Sequence, residues 1–403
     1  MDDSSRLSHP ARLVLAFLFA FTSLSLQGKE ISPMQVGAAQ TAQYLPLLQN
    51  KRVGLVVNQT SVIQDTHLVD FLLTNNIDVK LIFAPEHGFR GNKDAGASVE
   101  SGIDAATGVP VLSIYGKHKK PQARHLQDLD LILFDIQDVG ARFYTYLSSM
   151  HYMMQAASEN QLSFIVLDRP NPNIRFVQGP ILEQDFSSFV GIHPIPVLHG
   201  MTLGELAQMI LAEGWLNLGA SSYSGNNKLD LTIVPVKDYN RRDTYDLPIK
   251  PSPNLPNAQA IRLYPSLCLF EATPISVGRG TQMPFQVIGH DKVRLGAYPF
   301  TPLSMPGTAT HPKLENRQAL GVDLRNSHVQ GFDLAYLFQW HQAFAAQGLE
   351  FFSAPSFFDK LAGTDKIRLA LKNKMTLKEL ERNWRSGIEK FKRRRKPYLI
   401  YQE

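Results

Sequence analysis

Five short, mostly apolar runs, each ended by polar, glycine or proline residues, set the tightest limit on the fold of this 403-residue chain. Val53 to Val57 stops at Asn58-Gln59-Thr60, and Val79 to Phe83 stops just before Pro85-Glu86-His87-Gly88. Val111 to Tyr115 stops at Gly116, Leu131 to Phe134 at Asp135, and Phe164 to Leu167 at Asp168-Arg169-Pro170. Runs this short and this apolar suit strands buried on both faces, as in a parallel sheet covered by helices. Helical periodicity over Leu68 to Leu73 and Tyr146 to Ala157 alternates with them. The expected fold is therefore α/β, a Rossmann-like, doubly wound and mostly parallel sheet. Ligands of such sheets collect at the carboxyl ends of the strands. That rule sets Asn58, Glu86, His87, Asp135, Asp138 and Asp168 along one rim. No G-x-G-x-x-G follows the first strand and no P-loop occurs, so no nucleotide cofactor is expected.

Thr202, with Glu205 three residues on, reads as the cap of a helix running through Ala212. The stretch Pro248 to Pro256 (PIKPSPNLP) reads as a linker or structured loop. Beyond it the pattern changes, with Leu267 to Ala272, Val287 to Gly289 and a helical tail from about Gly331. These features divide the chain into an N-terminal Rossmann-like domain over 48–248 and a smaller α+β domain over 252–403.

Charge and cysteine usage narrow the function classes. The net charge of +5 comes from the segment from Asp365 onward, which carries +8, while the rest carries −3. The run Lys392 to Lys396 has no nucleic-acid motif or interleaved aromatic stripe around it, so a solvated helix face is expected and no nucleic-acid partner. A single cysteine, Cys268, rules out an intramolecular disulfide framework and any multi-cysteine metal site. Arg6 and Arg12 precede the uncharged run Leu13 to Leu26, which fits the apolar core of a signal peptide over residues 1–28. It is too short to span a bilayer, and the expectation is export to the periplasm or beyond, with no stable membrane insertion after signal removal.

Candidate chemistry gathers at the strand ends. Glu86 sits in a rigid turn between Pro85 and Gly88, near Phe83 and Phe89, where a carboxyl group suits general acid work or merely caps the next helix. Asp135 and Asp138, with Arg142, Tyr144 and Tyr146, offer carboxylates, aromatic faces and a cation, the parts of a sugar site. Asp138 and Arg142 at i,i+4 spacing also fit a purely structural pair. Asp168 and Asn171 either present polar groups to a ligand or pin their own loop. His199 has no partner in sight and reads first as structural. Arg279, between Gly278 and Gly280, suits an anion. No G-x-S-x-G occurs, which disfavours serine hydrolysis.

Taken in order, these stretches resemble the bacterial exo-β-N-acetylmuramidase family typified by NamZ. The resemblance rests on Val57-Asn58-Gln59-Thr60, PEHGFRG at 85–91, Ser113-Ile114-Tyr115-Gly116, DIQDVGARFYTY at 135–146, DRPNP at 168–172, HGMTLGEL at 199–206, PSPNLP at 251–256 and YPSLCLFEATPISVGRGT at 264–281. Ser304-Met305-Pro306-Gly307 and Gly321-Val322-Asp323-Leu324 extend it. It implies release of terminal N-acetylmuramic acid from the non-reducing end of peptidoglycan fragments, in an active-site cleft between the two domains, with Glu86 as general acid and no cofactor or metal. Asp135, Asp138 or Tyr144 would assist, or the substrate's acetamido group would attack in place of a second residue; Asn58, His87, Arg90, Arg142, Asp168, Asn171, His199 and Arg279 would bind the sugar, Arg142 and Arg279 its lactyl carboxylate. Leu198, where an arginine is expected, would remove one substrate contact, and His290-Asp291 would reshape the cleft wall. The rival function is a non-catalytic cell-wall sugar-binding protein; a metal-dependent hydrolase ranks last.

Overall fold

A computed structural model describes residues 34–91, 100–216 and 229–402. The signal-like residues 1–28 lie outside them. The central sheet has seven strands: β1 (Arg52–Val57), β2 (Asp78–Ala84), β3 (Gly102–Ile103), β4 (Pro110–Ser113), β5 (Leu131–Asp135), β6 (Ser163–Leu167) and β7 (Leu231–Val234). Their spatial order is β7-β6-β5-β1-β2-β4-β3, all parallel except the two-residue edge strand β3. The chain builds outward from β1 to β2 and β4, then crosses back to β5 and continues the other way. That reversal opens a crevice at the carboxyl ends of β1 and β5, where ligands of doubly wound sheets bind.

The sequence pattern explains the sheet. Every residue of β5 is buried, and its side chains alternate between two cores. Leu131 and Leu133 join Val53, Leu55 and Val57 on one face; Ile132 and Phe134 join Val56 and Phe164 on the other. Gly54 is required within β1, because a Cβ there would lie 2.9 Å from the Phe83 ring. Helices α1 (Thr41–Leu48), α2 (Leu68–Thr74), α3 (Tyr146–Glu159) and α4 (Leu203–Ala212) connect or flank the strands. The expected capping box opens α4: Thr202 N donates to Glu205 Oε2 at 3.0 Å, and Glu205 N to Thr202 Oγ1 at 3.2 Å.

Downstream lie α5 (Ala258–Leu267), a 3-10 turn at Cys268–Ala272, and strands β8 (Val287–His290), β9 (Tyr298–Phe300) and β10 (Ala319–Asp323) in a small antiparallel sheet. Helices α6 (Ala335–Ala346), α7 (Pro355–Ala362), α8 (Lys366–Lys372) and α9 (Leu377–Arg395) follow. The larger core is continuous from Phe134 and Phe164 through Leu263 and Phe270 to Trp340, so Met34–Glu403 forms one compact unit. The basic tail is partly structural. Arg394 pairs with Glu213 at 2.6 Å, and Arg395 is buried against the Gly200 carbonyl. No helix among the described residues is long and apolar enough to cross a membrane.

A buried ion pair locks the crevice. Arg169, on the loop after β6, grips Asp135 with Nε at 2.5 Å and Nη2 at 2.8 Å, and Asp135 is fully buried. Breaking such a pair leaves one desolvated charge, which costs roughly 3–5 kcal/mol. Asp135→Asn is therefore expected to lower stability by about that amount, read as a shift in the denaturant midpoint. A change under about 1 kcal/mol would show that the pair contributes little.

Candidate active site

Glu86 is placed by a strained turn. Pro85 stops β2, Gly88 N closes back on the Pro85 carbonyl at 3.0 Å, and His87 and Gly88 have φ of 70° and 78°. A non-glycine residue such as His87 in this left-handed region persists only where its surroundings enforce it. The Glu86 carboxyl takes hydrogen bonds from Tyr115 Oη to Oε1 at 2.9 Å and from Thr145 Oγ1 to Oε2 at 2.5 Å. Hydroxyls can donate to a carboxylate or accept from a carboxylic acid, so this cradle accommodates both protonation states. Glu86 does not cap a helix; it borders a cavity of ≈ 320 Å³, a volume in the range of small-ligand sites.

The cavity wall is drawn from both sides of the Pro248–Pro256 stretch. Glu271 and Arg279 also line it, with Arg279 Nε donating to Glu271 Oε1 at 2.7 Å. Burial pushes the Glu271 carboxyl upward, but Arg279 and Lys313 outweigh it and hold the group below its ordinary range. Lys313 Nζ is tied to the carbonyls of Phe270, Glu271 and Thr273 at 2.9, 2.7 and 2.7 Å. Two cations and one carboxylate leave this cluster with one unmatched positive charge. Arg279 engages Glu271 through Nε, which leaves its Nη groups to meet an anion. Cys268 also lines the cavity, but burial pushes its thiol up to about 12, so it is no nucleophile.

Of the residues read from the sequence, Glu86, His87, Tyr144 and Arg279 line the cavity. Tyr144 contributes its ring alone, because its hydroxyl donates to the Pro251 carbonyl at 2.9 Å, as Tyr146 does at 3.2 Å. The others serve the scaffold. Asp135 is held by Arg169, as described above. Asp138 accepts from Gly140 N at 2.6 Å, and burial pushes its carboxyl up to about 7; it belongs to no ion pair with Arg142. Arg142 is 1% exposed and donates to four carbonyls: Pro180 and Ile195, and Leu361 and Ala362 at the end of α7. It caps a helix instead of binding substrate. Arg90 pairs with Asp104 at 2.8 Å. Asn58 accepts from Thr60 N and Oγ1 and shapes the turn after β1. Asp168 accepts from Gly204 N, Thr202 Oγ1 and Tyr401 Oη, tying the C-terminus to α4, while Asn171 bonds Met201 O and Asn173 N. Leu198 and His290 are buried and do not line the cavity.

His199 is also buried, and burial lowers its pKa to about 3; burial likewise lowers His151 to about 4. Both are neutral in the fold, whereas in the unfolded chain they titrate near 6.5. Between those values the unfolded state binds more protons, so stability is complete above pH 6.5 and falls as the pH drops. At pH 5 each costs on the order of 2 kcal/mol, and His151→Gln is expected to flatten the thermal midpoint between pH 7 and 5. An unchanged slope would refute the assignment.

Glu271, Thr145 and Phe189 were not singled out by the sequence. Glu271 had one signal, a lone carboxylate inside the apolar stretch Leu269 to Ala272, within the motif that also carries Arg279. Among the described residues no three His, Cys, Asp or Glu side chains converge as metal ligands.

A carboxyl group and a cation lining one cavity of small-ligand size on a doubly wound sheet are parts that a glycoside hydrolase site uses. The comparisons agree. The N-terminal part of the exo-β-N-acetylmuramidase NamZ family matches residues 53–259 and the C-terminal part matches 262–401. The chain belongs to this family. It is 40% identical to the peptidoglycan β-N-acetylmuramidase NamZ of Bacillus subtilis strain 168 over 89% of each chain. Crystal structures of two DUF1343 family proteins of Bacteroides fragilis NCTC 9343 share the fold. One is 45% identical with a TM-score of 0.83, covering 92% of this chain and 100% of that one; the other is 27% identical with a TM-score of 0.77, covering 91% and 99%.

Proposed function

We propose that this chain is an exo-acting β-N-acetylmuramidase that releases N-acetylmuramic acid from the non-reducing end of peptidoglycan fragments, with Glu86 as general acid. The observation that carries this reading is the polarity of the cavity. Glu86, held by the hydroxyls of Tyr115 and Thr145, shares one cavity lining with the Glu271–Arg279 pair, whose charge together with Lys313 is net positive and suits one carboxylate. Muramic acid has that charge distribution: a glycosidic oxygen to be protonated and a lactyl carboxylate. Glu86 gives its proton to the leaving oxygen as the C1–O bond breaks. Glu271 is engaged by Arg279 and orients it, so the group that attacks C1 is the 2-acetamido oxygen of the substrate, an established alternative to a second carboxylate. The anionic Glu86 then takes a proton from the water that opens the cyclic intermediate. Export to the periplasm or beyond, supported by the signal-like N-terminus, would place the protein with its substrate.

Incubation with MurNAc-β-1,4-GlcNAc is expected to yield free MurNAc and GlcNAc by mass spectrometry, with MurNAc first appearing as the β-anomer by NMR. Binding of the disaccharide without any product would favour a non-catalytic sugar-binding protein. An α-anomer formed first would replace acetamido attack by direct displacement with water.

A further inference from the structure

The cavity continues past Glu86 onto a half-exposed aromatic surface that this reaction does not explain. Phe189 lies at the tip of a tight loop closed by paired bonds, Ser188 N to Gly191 O at 2.9 Å and Gly191 N to Ser188 O at 3.0 Å. Its ring lies 5.8 Å from that of Tyr115, the residue whose hydroxyl holds Glu86, and 6.2 Å from Tyr152, with which it stacks at 11°. Lys119 Nζ stands 4.7 Å from the Phe189 ring centre. Phe357, 41% exposed, borders the same cavity. Tyr264, Cys268 and Phe285, which also line it, are all buried. Among the described lining residues, Tyr115, Phe189 and Phe357 are the rings that keep solvent exposure, and Tyr115 and Phe189 lie together beside Glu86.

We propose that Phe189, with Tyr115 and Lys119, forms the subsite for the leaving side of the substrate: the N-acetylhexosamine released when the bond breaks, and an anionic group beyond it. This deepens the muramidase reading and rests on it. The apolar face of a pyranose, with its axial C–H bonds, packs on an aromatic ring, and the loop pairing fixes Phe189 before the sugar arrives, so little ordering is needed on binding. Lys119 lies on that ring, and Lys117 and His118 are exposed beside it. Lys117 and Lys119 put positive charge where the next muramic acid carboxylate of a longer glycan chain would follow. The terminal sugar sits among the buried lining residues, and the chain leaves over Phe189.

The test compares MurNAc-β-1,4-GlcNAc with MurNAc β-fluoride, which carries no leaving sugar. Phe189→Ala is expected to lower the disaccharide-to-fluoride ratio of kcat/KM at least tenfold, mainly through KM for the disaccharide. Phe189→Tyr is expected to restore it. Lys119→Ala is expected to reduce the preference for a tetrasaccharide over the disaccharide at least threefold, an effect that fades at high salt. A Phe189→Ala ratio within threefold of the parent would overturn the subsite while leaving the muramidase reading intact. A parent protein that cleaves neither compound would overturn both.

Discussion

Glu86→Gln is expected to reduce kcat/KM for MurNAc-β-1,4-GlcNAc at least about a thousandfold, within the range that general acid catalysis supplies. The amide keeps the size of the side chain and can still pair with the hydroxyls of Tyr115 and Thr145, but it has no proton to give the leaving oxygen. The loss corresponds to roughly 4 kcal/mol of barrier. The thermal midpoint should stay within a degree or two of the parent, because Glu86 is only partly buried and the amide keeps its size and its hydroxyl partners. Steady-state kinetics beside a melting curve check both halves. A loss below tenfold would remove Glu86 from the acid role.

Arg279→Met should act on selectivity more than on the chemical step. The unmatched positive charge of the Glu271–Arg279–Lys313 cluster disappears, and Glu271 loses its hydrogen-bonded partner. Removing one side of a hydrogen-bonded charge pair at a binding site costs about 2–5 kcal/mol. A fall of roughly a hundredfold or more in kcat/KM is therefore expected for a muramic acid glycoside, at about 1.4 kcal/mol per tenfold. The matching N-acetylglucosaminide, which lacks the lactyl carboxylate, should lose much less. If both substrates decline equally, Arg279 supports the fold and does not recognise the acid group.

The expectations that held and those that failed differ in kind. Strand positions, the capping box at Thr202 and the turn that presents Glu86 all depend on neighbours within a few residues. The arginines were a harder case. Arg142, Arg169 and Arg279 all lie near strand ends or tight glycine turns in sequence; Arg142 and Arg279 read as candidates for an anion, and Arg169 lies beside the ligand candidate Asp168. Arg142 instead meets carbonyls 38 to 220 positions away, and Arg169 meets Asp135 across 34 positions. Arg279 finds Glu271 only eight residues earlier, through a turn that no periodicity announces.

The order of apolar runs by itself determined a doubly wound sheet and put polar residues at its carboxyl edge, because backbone hydrogen bonding and burial follow local pattern. Which of those polar residues face a ligand was decided only by tertiary structure. A charge at a strand end either meets solvent and substrate or is neutralised by a partner from distant chain. That choice depends on desolvation and on the position of the partner, two quantities that exist only once the chain has closed on itself.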